Sequence, residues 1–353
     1  MSSTVNQPYD YNLIAAASVS ANKLAHLDIS ALVPVFAVDP QDSVGKVRKD
    51  DTSLENTDVP FGSTMGDYGA LAGIEEPDGS DVSYTSHEIR LPPSLVPKKK
   101  NARRQVNPKL LDKAAQAQVE RLAWRLNTIV IGMFTAANFA GRTADVNSIG
   151  EAKKFNDLTI NAVRKFKDMR DVLVDLRGTH LPDRCTIGEG LARYIGQNED
   201  VLAKLPTVIG SHGLNRAGVK DLLEQHLEME VVINRAWRNG SYLWDENLIA
   251  FSYVGANKPQ RPAAPEALPP FVFPGLITEA DRDQDGFLTN SPCTAAMIME
   301  RFPEIEDAIG DGNPALWGVS QKDGDRAVEV SVSAFGTRLL VNTNSGYIWT
   351  DAT

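Results

Sequence analysis

Asp281-Arg282-Asp283-Gln284-Asp285-Gly286 carries carboxylates at positions one, three and five and a glycine at six, the residue types with which an EF-hand loop begins to wrap calcium. Position twelve is Pro292, where such a loop needs a bidentate glutamate. Asp281, Asp283 and Asp285 are therefore weak metal ligands, and the spacing predicts an acidic surface turn with no resident metal. Gly188-Glu189-Gly190 lies between a predicted strand and a predicted helix, but Arg193 stands where the third glycine of a dinucleotide fingerprint belongs. His26, His87, His180, His212 and His226 are scattered, and Ser211 beside His212 makes no triad. No phosphate-cradling Walker loop, HExxH, GxSxG or CxxC occurs. A metal-dependent hydrolase built on the Asp281 turn and His212 would need further ligands that no motif supplies, so no enzyme and no cofactor are expected.

The charged residues point to association instead of catalysis. Between Asp39 and Asp81 there are eleven acidic and three basic residues, with little periodicity, which predicts an exposed excursion. The sign then reverses at Lys98, Lys99, Lys100, Arg103 and Arg104. Three readings are open for that run, a solvated turn, a salt-bridging patch for an acidic partner or a nucleic-acid contact, and the neighbouring excursion favours the patch over the nucleic-acid contact. Asp50, Asp51, Glu55 and Asp58 are its expected counterparts. The net charge of −10 and a pI near 5.1 argue against a general nucleic-acid binder.

Positioning these groups requires a core, and 353 residues at 42% hydrophobic content can bury a sizeable one. Cys185 and Cys293 form neither a disulfide framework nor a metal cluster, as in a reducing cytosol. Asn-Leu-Ile-Ala-Ala-Ala from Asn12 has no preceding basic residue, so no secretory leader is expected there, and the apolar run from Leu126 to Ala140 is too interrupted to span a bilayer.

The clearest element runs from Asn107 to about Ala137, where Leu111, Ala115, Val119, Leu122, Leu126, Ile129 and Met133 recur at helical spacing. Asn107 can cap this long helix, Pro108 suits its first turn, and Lys113, Gln116, Glu120, Arg121 and Arg125 lie on the wet side. Residues 1 to about 25 read as a flexible arm, and Ala31 to Val38 as an extended segment that Pro34 confines to a sheet edge or an irregular strand. Helices are predicted over Thr159–Leu176, Glu189–Ile195 and Asn215–Leu227. Strands are predicted over Arg184–Ile187, Met229–Ile233, Leu248–Val254, Ala327–Ala334, Thr337–Val341 and Gly346–Trp349. Six prolines between Pro259 and Pro274 mark a stiff connection.

In order, these segments resemble the major capsid proteins of tailed bacteriophages, whose Hong Kong ninety-seven fold is shared with encapsulin shells. Leu32-Val33-Pro34-Val35-Phe36-Ala37-Val38 is similar to the family's early apolar segment, and Tyr68-Gly69-Ala70-Leu71-Ala72 to the stretch before its spine helix. Pro182 to Leu191 with Asp200-Val201-Leu202 resembles the opening of the axial domain, Leu214 to Leu227 its central helix, and Val231-Val232-Ile233 the strand that follows. Tyr242 to Ile249 resembles a Trp-x-x-Asn turn and Gly346-Tyr347-Ile348-Trp349 the closing strand.

The resemblance implies an α+β capsid fold: an N-terminal arm over 1–38, an extended loop over 39–97, a peripheral domain with the spine helix over 98–177, and an axial domain over 178–258. A proline-rich connection, an insertion at about 281–316 and peripheral strands complete it over 259–353. It implies a virion shell subunit, assembled in the host cytoplasm into pentamers and hexamers around double-stranded DNA held without sequence-specific contacts. The partners implied are further copies of the chain, with scaffold, portal or decoration proteins, and no membrane. An encapsulin-like nanocompartment is the alternative with the same fold. No cross-linking Lys and Asn are placed by motif.

Overall fold

The computed structural model describes residues 9–10, 12–14, 16–17, 29–48, 81–98, 106–175, 180–203, 213–255, 277–279, 293–309 and 315–353. The long helix, α1, spans Pro108–Ile131, with the Asn107 side chain accepting from the Lys109 N–H at 3.1 Å. Its buried face carries Ala115, Val119, Leu122, Ala123, Leu126 and Val130, so the stripe lies where its spacing placed it. The helix is one turn and a half shorter than the apolar sequence suggested. Gly132 caps it, its N–H shared between the Thr128 and Val130 carbonyls, and Ala136–Phe139 continue as a single 3-10 turn. The apolar run persists because Met133, Phe134 and Phe139 fold back into the core.

α1 packs on a three-stranded antiparallel sheet of β14 (Gly318–Asp323), β15 (Ala327–Ser333) and β5 (Ser94–Pro97). Gln118, fully buried, ties the two layers by donating to the Pro92 carbonyl at 2.9 Å and to Ser94 Oγ at 2.8 Å. Above them lies a five-stranded sheet in the order β12 (Ile277–Glu279), β1 (Val35–Val38), β13 (Ala295–Glu300), β16 (Phe335–Leu340) and β4 (His87–Glu88). Alternate residues of this sheet serve two cores. Val35, Ala37, Met297 and Met299 join the α1 side, whereas Phe36, Val38, Ala296 and Ile298 face Val47, Tyr84 and Leu339 on the other.

Three expectations change here. Residues 31–38 do not sit at an edge: Pro34 precedes β1, its carbonyl accepting from Met297 N–H at 2.9 Å, and β1 pairs in parallel with strands on both sides. The stretch 281–316 is not wholly an insertion, because β13 within it is a central strand buried along its whole length. The described part of the N-terminal arm is docked, not loose: Leu13, Ile14 and Ala17 are buried, the Asp10 N–H donates to the Val319 carbonyl, and Tyr9 meets Phe302 edge to face at 5.6 Å.

The second unit is a five-stranded sheet in the order β6 (Thr143–Asp145), β17 (Tyr347–Thr350), β11 (Ile249–Ser252), β7 (Arg184–Gly188) and β8 (Glu230–Asn234). Helices α2 (Ala162–Asp175), α3 (Glu189–Gln197), α4 (Glu199–Ala203) and α5 (Arg216–Leu227) surround it. Residues 143–175, expected with the spine helix, thus belong to the axial core: Phe155, Phe166 and Met169 pack with Ile187, Leu191 and Leu223. The C-terminal strand also joins this sheet and not the peripheral one, since β17 inserts between β6 and β11.

Truncating the centre of the α1 stripe should show its weight. Leu122→Ala is expected to lower the unfolding free energy by about 2 to 5 kcal/mol, because the cavity is enclosed by helix and sheet. Lys113→Ala, on the wet face, should change it by less than about 0.5 kcal/mol. Denaturant unfolding of dispersed protein followed by circular dichroism measures both.

Candidate functional site: the root of the acidic excursion and the axial unit

The excursion leaves and re-enters the fold through one ladder. β2 (Val44–Arg48) and β3 (Asp81–Thr85) pair antiparallel, with Gly45 opposite Tyr84 and Arg48 opposite Asp81, so the positions that flank 49–80 are held side by side. The pairing is fixed from beneath. Tyr84 and Val47 are buried against Phe36, Ile298 and Leu339, and the Tyr84 hydroxyl donates to the Asp42 carbonyl at 3.2 Å. Gly45 is required by that ring, since a Cβ there would lie 2.5 Å from Tyr84 Oη. Asp50, Asp51, Glu55 and Asp58 lie outside the described residues.

Of the basic run, Lys98 is described, and Lys99, Lys100, Arg103 and Arg104 lie outside the described residues. Lys98 extends β5: its N–H donates to the Arg326 carbonyl at 2.9 Å, and its ammonium meets Asp323 at 2.5 Å. Its side chain is only 11% exposed, so within the chain this lysine already has an anion. Asp323 is well exposed, and the pair contributes no more than about 1 kcal/mol.

In the axial unit the Gly188-Glu189-Gly190 turn is shaped by protein, not by phosphate. A Cβ on Gly188 would stand 3.1 Å from the Trp244 ring, and one on Gly190 would collide with the Glu246 carboxylate. The turn after β10 (Ser241–Tyr242) thus closes over the start of α3. Trp244 is buried, donates from Nε1 to the Leu248 carbonyl at 2.9 Å, and packs on Phe134 at 5.7 Å, joining the axial unit to the end of the spine. Sequence reasoning missed this clamp; the signal was the glycine pair facing the tryptophan turn of the same unit.

Arg184 is fully buried on β7 and held by Glu230 of β8, its Nη2 donating to Oε2 at 2.8 Å. His180 stacks on Tyr253 at 4.6 Å. His212 and the Asp281, Asp283, Asp285 turn lie outside the described residues. Among the described residues no group of three or more His, Cys, Asp or Glu could hold a metal, and no helix is long and apolar enough to cross a membrane.

Outward, the axial unit exposes large apolar side chains. Trp237 is 47% exposed on the hairpin formed by β9 (Trp237–Arg238) and β10, whose Asn239-Gly240 turn takes positive φ at both residues. The ring stands edge-on to Tyr242 at 4.6 Å, and Arg193 donates to the Tyr242 hydroxyl at 2.6 Å. Leu181 and Val174 are also more than half exposed.

No protein-family model matches the sequence, and no curated protein matches it. Solved structures do. A phage-related protein from Bordetella bronchiseptica RB50 superposes with a TM-score of 0.57 at 14% identity, over 98% of each chain. A virus-like particle protein from Pyrococcus furiosus gives 0.46 at 10% identity, over 96% of this chain and 97% of that one. An encapsulin from Synechococcus elongatus PCC 7942 gives 0.42 at 10% identity, over 91% and 85%. The chain has the mixed helix-and-sheet fold of the Bordetella phage-related protein over its whole length.

Both thiols are sealed within this fold. Burial pushes the Cys293 thiol up to about 12 and raises that of Cys185 further still. At pH 8 both should therefore resist a thiol reagent such as Ellman's in the folded protein, and two equivalents should react in denaturant. Fast labelling of the native chain would show that one of these cores opens.

Proposed function

We propose that the chain is a self-assembling shell subunit of the capsid type and, within that class, the major capsid protein that encloses the genome of a tailed bacteriophage. The fold shared with the Bordetella phage-related protein over 98% of both chains carries this reading. Two further features support it. The excursion is rooted on a ladder anchored on a buried core, as a segment that overlaps a neighbour requires. The exposed Trp237, Leu181 and Val174 give the axial unit apolar surface that copies of the chain can cover around a capsomer axis. Each subunit of a closed shell meets several others, so contacts of modest strength add up.

In this reading Asp50, Asp51, Glu55 and Asp58 of one subunit meet Lys99, Lys100, Arg103 and Arg104 of the next, with Lys98 at the margin of the patch because Asp323 already holds it. Exposed pairs contribute about 0 to 1 kcal/mol each and are screened beyond about 8 Å at physiological salt. The Lys99→Glu/Lys100→Glu variant should keep the wild-type circular dichroism spectrum and lose the fast-sedimenting shell boundary in sedimentation velocity. Wild-type shells should dissociate progressively as salt rises. A variant that assembles into shells as salt-resistant as the wild type would refute the pairing.

A further inference from the structure

A cleft of about 580 Å3 opens between the second half of α1, the edge of the five-stranded sheet and the segment following β4. That volume falls within the range of small-ligand sites, about 300 to 1,000 Å3. Its floor is apolar, formed by the buried Ile89 and Met297 and the half-buried Ile129. Its rim carries three guanidiniums, those of Arg90, Arg125 and Arg338. Glu88 is the one carboxylate lining it, and Arg90 already occupies that group, donating from Nε at 2.8 Å. Among the described residues the guanidiniums of Arg125 and Arg338 have neither a hydrogen-bond nor an ion-pair partner. Arg338 reaches the last turn of α1, where a Cβ on Gly132 would lie 3.3 Å from its Nη1.

The chain has ten more acidic than basic residues, yet among the described residues two guanidiniums face a cleft whose one carboxylate, Glu88, is already taken by Arg90. Like charges so placed repel, and a shared anion reverses the sign of the interaction. Guanidinium forks match the oxygens of phosphate, and one phosphate can accept from more than one fork. A side-chain carboxylate would fill a single fork and leave the apolar floor uncovered. A phosphate ester satisfies both features, with its oxygens on the arginines and its sugar or base on the accessible edges of Ile89 and Ile129. We propose that this cleft binds phosphate esters, with Arg125 and Arg338 as the ligating residues. The ester can come from the backbone of a nucleic-acid strand or from a free nucleotide. The overall negative charge does not oppose this, because three guanidiniums line the cleft against one carboxylate.

The proposal goes beyond the shell reading and is tested on dispersed full-length protein, so failure to assemble does not bear on it. Fluorescence anisotropy with a labelled oligothymidylate should show saturable binding at low salt. Arg125→Ala/Arg338→Ala should weaken it by about tenfold or more and flatten the dependence of log affinity on log salt by about 1.4, two single-strand phosphate contacts at about 0.7 each. Lys113→Ala, on the same helix outside the cleft, should bind as the wild type does. Circular dichroism establishes that each variant is folded, and Arg338→Gln alone, at an exposed position, serves if the double variant is not. Displacement of the oligonucleotide by thymidine triphosphate identifies a site for the free nucleotide as well; binding of the oligonucleotide without displacement identifies the strand backbone. The proposal is overturned if the folded double variant binds with wild-type affinity and salt slope, or if the wild type binds neither ligand. It is equally overturned if a peptide of residues 50–58 binds through these arginines while both phosphate ligands fail, which would give the cleft to a second copy of the chain.

Discussion

Burial of one face of α1 is the interaction on which the other elements depend. The helix crosses the β14–β15–β5 sheet, and its stripe from Ala115 to Val130 is closed off by that sheet, by Val35 and Met297 of the sheet above, and by the docked N-terminal residues. Apolar area removed from water is the main favourable term in folding, and here it is collected from segments more than 200 residues apart in sequence. The polar groups within it are few and satisfied in part by direct design, as where Gln118 donates to both Pro92 and Ser94.

The axial unit hangs on the end of the spine. Phe134 follows the helix cap, Trp244 packs on it, and the same tryptophan turn closes the Gly188-Glu189-Gly190 start of α3. Phe134 and Trp244 thus lie in one core with the α1 stripe, while the outer surface of the axial unit keeps Trp237 and Leu181 exposed. On the far side of the five-stranded sheet a third, smaller core fixes Tyr84 and Val47, and with them the ladder that carries the excursion. A mobile hinge there would spend association energy on ordering the excursion; a buried ladder limits that cost.

What could be read in the sequence was local and periodic. The 3.6-residue spacing of Leu122 and Leu126 located the spine, Asn107 and Asn215 marked helix starts that the structure caps through their side chains, and Val328, Val330 and Val332 alternated as a half-buried strand does. What was not legible depended on partners distant in sequence. β13 looked like part of an insertion because Ala-Ala-Met-Ile-Met, buried on both faces, has no alternation to show. Pro34 suggested an edge, but a proline preceding a strand costs no ladder hydrogen bond. β17 was placed with the wrong unit because nothing local reveals that it pairs with β6 and β11. The capsid resemblance, carried by the order of segments, agreed with the fold. The arginine cleft left no trace in the sequence, since its residues come from four separate segments.

The central claim is that this fold exists to tile a closed surface. Cryo-electron microscopy of the purified full-length chain tests it most directly. The account predicts closed icosahedral particles in which α1 lies tangential to the shell wall and residues 49–80 cross onto a neighbouring subunit. Dispersed monomers at high concentration and low salt, with the fold intact by circular dichroism, would contradict it.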